Sequence, residues 1–144
     1  NFITYHSCIR PAFWVLNALE DVRSGRTREG VPDILWTTEY AQLVAPFPNV
    51  YAEIGTTWAS TVVTFPTVAA HILGQLLKYM GQNRIVFGSD SLWYGSPQWQ
   101  IEAFRQIEIP EDLRKKLGYA PLGPADSEVK KAIFGQNAAK LYRM

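Results

Sequence analysis

The chain has a single cysteine, Cys8, so no internal disulfide can form, and its thiol is compatible with a reducing compartment. The expected location is therefore cytoplasmic. No apolar run approaches the ~20 residues of a membrane span. The opening residues, Asn1-Phe2-Ile3-Thr4-Tyr5-His6, lack the basic start and apolar core of a secretory signal. Excess charge is missing too. Fourteen Lys and Arg against thirteen Asp and Glu leave a net charge of +1, without the basic patch of a nucleic-acid or anionic-membrane binder. Histidine occurs only twice, and no His-x-His or His-x-x-x-His pair exists. An initiator methionine is also lacking. Because the chain opens directly on a strand-like run, the expectation is that an N-terminal part is missing.

What is present is 144 residues, 47% hydrophobic, enough for one globular domain. Phe2 to His6 reads as a strand, and Pro11 suits the first turn of a helix through Phe13, Val15, Leu16 and Leu19. Two glycines, a proline and several charges make Arg23 to Pro32 a loop. Asp33 can then cap a second helix that stops before Pro46. Asn49 to Ile54 is a second strand. Phe65, Ala69, Ile72, Leu76 and Met80 recur at spacings of three and four and mark the clearest helix, ended by Gly81. Arg84 to Gly88 is a third strand, and Pro97 opens a further helix. Asp126 or Ser127 caps a last one, broken at Gly135 and resuming over 137–142.

Strands alternating with helices imply a parallel sheet joined by crossovers. Only three strands can be counted, too few to take helices on both faces and with two unprotected edges. The α/β class is therefore read as the C-terminal part, about strands six to eight with their helices, of a (β/α)8 TIM barrel. Such barrels run to about 250 residues.

Barrel active sites lie at the C-terminal ends of the strands. His6, Glu53 and Asp90 would then share one mouth. Trp93, Tyr94 and Trp99 follow Asp90 on an aromatic loop and are candidates for a substrate pocket. Each residue also has a plainer role open to it. Asp90 after Gly88-Ser89 can turn the chain as an Asx motif. His6 can be a satisfied core histidine, and Glu53 an internally paired structural acid. Cys8 can be a small buried hydrophobe. His71 sits on the periodic helix away from any strand end, and Trp14, Trp36 and Trp58 read as packing residues. A catalytic zinc site needs about three protein ligands, and this chain alone does not make a convincing one.

The segments NFITYHS, NVYAEIG, RIVFGSDSLWYGSPQWQIEAF and VKKAIFGQNAAKLY, in this order and spacing, resemble the C-terminal part of the amidohydrolase-related metal-dependent hydrolases, (β/α)8 barrels of the amidohydrolase superfamily. The resemblance implies that Asp90 occupies the place of the metal-binding aspartate after the last strand. It implies that His6 occupies that of a catalytic or substrate-polarising histidine after the sixth. The implied cofactor is a divalent metal, zinc or manganese, activating a water. The family's His-x-His and its fifth-strand histidine would lie upstream of Asn1, and glycine is more usual where Cys8 stands. Asn137 matches a terminal Asn-Ala pair that looks structural.

The expectation is a metal-dependent hydrolase acting on a small molecule, with these 144 residues inactive alone. Non-oxidative decarboxylation of an aromatic acid keeps the same fold. A non-catalytic partial barrel that pairs with another chain is the reading from a different class. Expected partners are a small-molecule substrate and either a second copy or the N-terminal part; nucleic acid and membrane are not expected.

Overall fold

The computed structural model describes residues 1–8 and 14–144. Pro11 and Phe13, assigned above to a helix, lie outside the described residues, as does the side chain of Trp14. The central feature is a parallel sheet of β1 (Phe2–Thr4), β4 (Val50–Glu53) and β5 (Ile85–Val86), in the order β1-β4-β5. Phe2 lies opposite Val50 and Thr4 opposite Ala52; Ala52 and Glu53 in turn face Ile85 and Val86. Ala52 and Ile85 are fully buried, so the sheet's middle is apolar and its polar residues collect where the strands end.

The crossover from β1 to β4 holds α1 (Trp14–Ser24) and α2 (Leu35–Leu43). Between them the stretch read as a loop forms a two-stranded hairpin, β2 (Thr27–Arg28) with β3 (Val31–Pro32). Glu29 (φ 49°) and Gly30 (φ 79°) both take positive φ, the requirement of a type I′ turn. Glutamate at its first central position is not the Asn or Asp that announces such a turn, which is why the sequence reads as loop.

Asp33 does not cap α2. Its carboxylate pairs with Arg26 at 3.3 Å and Arg28 at 3.5 Å. Thr38 acts instead, its Oγ1 accepting from the Ile34 N–H at 2.8 Å and donating to Gln75 Oε1 at 2.7 Å. Trp36 is not a packing residue either, being 51% exposed, whereas Trp58 is buried.

The crossover from β4 to β5 contains α3 (Gly55–Thr61) and α4 (Pro66–Met80). Proline at its first position and Gly81 (φ 75°) after its last residue bound α4 as its pattern suggests. This helix is buried on almost every side. Its Ala69, Ile72, Leu76 and Met80 join Ala18 of α1, Ala41 of α2 and Trp58 of α3 in one core. Gln75, fully buried among them, is satisfied by Thr38 and by the Pro32 carbonyl at 2.8 Å.

After β5 come α5 (Ser91–Tyr94), α6 (Gln98–Gln106), α7 (Glu111–Leu117), α8 (Glu128–Lys131) and α9 (Asn137–Tyr142). Ser127 caps α8, its hydroxyl accepting from the Lys130 N–H at 3.2 Å. Gly135 does not break the helix. A π turn over Ala132–Gln136 joins α8 to α9 without interruption. From it the Ile133 carbonyl accepts from the Phe87 N–H at 2.9 Å, and Asn137 Nδ2 donates to the Gln82 and Ile85 carbonyls, each at 2.7 Å. No helix among the described residues is long and apolar enough to cross a membrane.

Candidate functional site

Glu53, at the last position of β4, is 8% exposed and organises the mouth of the sheet. One carboxylate oxygen accepts from the His6 N–H at 2.9 Å, the other from the Gly55 N–H at 2.6 Å. Two glycines make room for it: a Cβ on Gly88 would sit 1.6 Å from Oε1, and one on Gly55 2.5 Å away. With both oxygens engaged by main-chain donors, Glu53 is a structural anchor for the turn after β1.

That turn carries three consecutive residues in the left-handed region, His6 (φ 58°), Ser7 (φ 51°) and Cys8 (φ 60°). Each costs of order 1–3 kcal/mol unless the surroundings hold it. Three bonds do so: Glu53 to the His6 N–H, Thr57 Oγ1 donating to the His6 carbonyl, and Ser7 Oγ donating to the Glu53 carbonyl at 2.9 Å. The result turns the His6 ring toward the end of β5. Cys8 packs against the core as a small apolar group. Burial pushes its thiol pKa up, and the Glu39 charge adds to the effect, so it is a poor nucleophile.

The His6 ring is oriented by its acceptor. The Thr56 N–H donates to Nδ1 at 3.2 Å, and a backbone N–H can only donate, so neutral His6 carries its proton on Nε2. Nδ1 also lies 3.5 Å from Glu53 Oε2, but with a bare Nδ1 this is proximity rather than a hydrogen bond. Nε2 faces Asp90 Oδ2 at 3.6 Å, beyond direct bonding and close enough for one small group to bridge.

Asp90 takes φ 49° just before α5, and its side chain makes no capping bond, so it is not an Asx turn. Its carboxylate accepts from the Thr56 hydroxyl. Behind it, the buried Gln100 side-chain amide donates to the Ser89 carbonyl at 2.7 Å, and the Gln100 main-chain carbonyl accepts from the Trp58 indole N–H at 3.1 Å. The aromatics packed beneath this turn are Phe87, Phe104, Phe134 and Trp58, with ring centroids 4.8–5.7 Å apart.

The structure thus brings His6, Glu53 and Asp90 together across three strand ends. Trp93 and Tyr94, expected on a loop, lie in α5, and Trp99 lies in α6; Tyr94 is tied to α3 through a 2.7 Å bond between its hydroxyl and Ser60 Oγ. Trp93 stands 79% exposed, and Trp99 is half-buried against the core. Sequence reasoning passed over Thr56 and Gln100. The signal for Thr56 is its place three residues after the strand-end acid, in the first turn of the following helix.

Among the described residues, no three His, Cys, Asp or Glu side chains form a set that could hold a metal ion. The donor chemistry says why. Each Glu53 oxygen already accepts a main-chain N–H and neutral His6 carries its hydrogen on Nε2, which leaves Asp90 as the most available ligand. These residues therefore fit one ligand of a metal centre and do not complete one.

The second histidine is elsewhere. His71 on α4 is buried, its Nδ1 3.3 Å from the Tyr119 hydroxyl. Burial lowers its pKa, opposed by Asp112 and assisted by Lys116. Tyr119, pushed up to about 12 chiefly by burial, stays neutral across the same range. With the folded value below the unfolded ~6.5, the unfolded state binds more protons in acid. Stability is complete above that value and falls as pH drops below it. A His71→Gln variant should show a shallower loss of Tm between about pH 7 and pH 5; an identical slope would assign the acid sensitivity to other groups.

Neither the comparison with curated proteins nor that with solved structures gives a match. A family model described as amidohydrolase matches residues 25–144, a span that holds Glu53, Thr56 and Asp90 and leaves His6 outside. With that match over most of its length, the chain belongs to the amidohydrolase family.

Proposed function

We propose that this chain forms the strand-six-to-eight part of a (β/α)8-barrel hydrolase in which Asp90 accepts a proton and His6 donates a hydrogen bond to the substrate. The observation that carries the reading is the polarity of the facing pair, an N–H donor on His6 Nε2 and a carboxylate acceptor on Asp90, 3.6 Å apart beyond the ends of the two strands that flank β4. A water placed against Asp90 gives up its proton as it attacks an acyl carbon. Charge building on the acyl oxygen is met by the His6 Nε2–H; as the adduct collapses, the acyl C–O or C–N bond breaks and the departing oxygen or nitrogen takes the proton back from Asp90, restoring its carboxylate. Glu53 contributes by holding His6 in its left-handed turn. A divalent metal, zinc or manganese, is proposed as the cofactor, with Asp90 its ligand from this chain and the remaining ligands from residues outside it. When bound, such an ion lowers the pKa of water and polarises a carbonyl.

The test is a panel of esters, amides and lactones beside aryl carboxylic acids, assayed with the intact protein for acid release and for CO₂. Hydrolysis is expected, and Asp90→Asn should lower kcat/KM by about 10²–10⁴ and reduce bound metal. CO₂ release from the aryl acids would replace hydrolysis by decarboxylation. Metal content unchanged in Asp90→Asn would remove Asp90 from the metal centre.

A further inference from the structure

We infer that Thr56 is the positioning residue of this site, fixing the His6 tautomer through its N–H and the Asp90 carboxylate through its hydroxyl. The inference rests on the hydrolytic reading for what the site does, but its geometry stands apart from it. The first N–H groups of a helix have no partner inside the helix. In α3 two of them find partners at the strand ends: the Gly55 N–H turns back to Glu53, and the Thr56 N–H reaches across to His6 Nδ1. The Thr56 hydroxyl reaches the other way, to Asp90 Oδ2. Thr57 completes the set by donating to the His6 carbonyl. The tripeptide Gly55-Thr56-Thr57 therefore touches the anchor, the donor and the acceptor of the site, and Thr56 alone bonds both functional side chains.

A residue that bonds both groups, one through its main-chain N–H and the other through its hydroxyl, does more than brace the fold. Its N–H leaves His6 with hydrogen on the nitrogen that faces Asp90, and its hydroxyl holds the Asp90 oxygen in front of that nitrogen. Valine at 56 keeps the N–H and loses the hydroxyl; serine keeps both; proline, tolerated in a helix's first turn, removes the N–H.

The experiment is imidazole ¹⁵N NMR of the intact protein at alkaline pH, with the His6 signals assigned by their loss in His6→Asn. It is paired with kinetics on whichever panel compound is turned over. Wild type, Thr56→Ser and Thr56→Val should all show the hydrogen on Nε2, whereas Thr56→Pro should lose that preference. Thr56→Val should lower kcat about tenfold or more at little changed KM, and Thr56→Ser should restore it. Hydrogen on Nδ1 in the wild type would overturn the inference, even if Thr56→Pro does not fold. Equal activity of the valine and serine variants would overturn it as well. If no compound is turned over, the hydrolytic reading fails while the tautomer still tests Thr56.

Discussion

Gly88→Ala is expected to destabilise the fold by about 3–5 kcal/mol, read as a lowered urea midpoint at an unchanged slope. The added methyl would fall 1.6 Å from Glu53 Oε1 and 2.7 Å from its carboxyl carbon. Something must move, and the carboxylate is poorly able to. It is buried, and its oxygens are bonded to the His6 and Gly55 N–H groups. Overpacking alone costs ~1–3 kcal/mol, and a lost hydrogen bond to a charged group adds ~1.5–3 kcal/mol. The strained turn that Glu53 supports should loosen together with it. Gly135→Ala is the matching control, since nothing lies within 4 Å of a Cβ there and alanine suits a helix better. It should be neutral or stabilising by up to about 1 kcal/mol. A Gly88→Ala cost below about 1 kcal/mol would mean that Glu53 can leave its seat freely.

Arg84→Lys is expected to cost about 3 kcal/mol, nearly as much as Arg84→Ala, despite conserving charge. The guanidinium donates to five main-chain carbonyls: Met80 at 2.8 Å, Phe47 at 2.7 Å, Val44 and Ala45 at 3.1 Å, and Tyr79 at 3.3 Å. These groups lie at and just beyond the C-terminal ends of α2 and α4, where carbonyls have no partner inside the helix and a cation is favoured. A planar fork can serve both ends at once, whereas an ammonium has three donors on one point. The check is thermal unfolding of the two variants side by side. Full recovery in lysine would reduce the role of Arg84 to its charge.

The frame of the molecule was legible because its strands and its main helix carry plain signals. Phe2 to Tyr5, Val50 to Ile54 and Ile85 to Phe87 are apolar runs ending in polar groups, and α4 has a strict helical period between Pro66 and Gly81. Strand-end placement alone was enough to bring His6, Glu53 and Asp90 together on paper. What escaped depends on contacts between distant residues. Gly55-Thr56-Thr57 looks like turn chemistry until β1 and β5 flank β4 and set His6 and Asp90 on either side of it. Asp33 satisfies the local grammar of a cap, yet two arginines across the hairpin hold its carboxylate. Trp36 reads as packing by residue type, but its position on α2 leaves it at the surface. Helix α7 lacks a strong apolar stripe, with Leu117 its buried residue, so periodicity gave little warning of it.

The π turn over Ala132–Gln136 gives the molecule a handed asymmetry in how it can grow. A π turn holds one residue more than an α turn, so everything beyond it is rotated by about 100° from where an unbroken helix would place it. That change of phase accompanies an Ile133 carbonyl aimed at Phe87 and an Asn137 amide aimed at Ile85, main-chain groups that a further strand beside β5 would need. The β5 flank is thereby stoppered from within. On the opposite flank, among the described residues, β1 pairs with β4 alone. A second copy adding to this sheet is consequently directed to the β1 side, beside His6, whereas closing a barrel at the β5 side requires the Ile133 and Asn137 bonds to give way to the incoming strand.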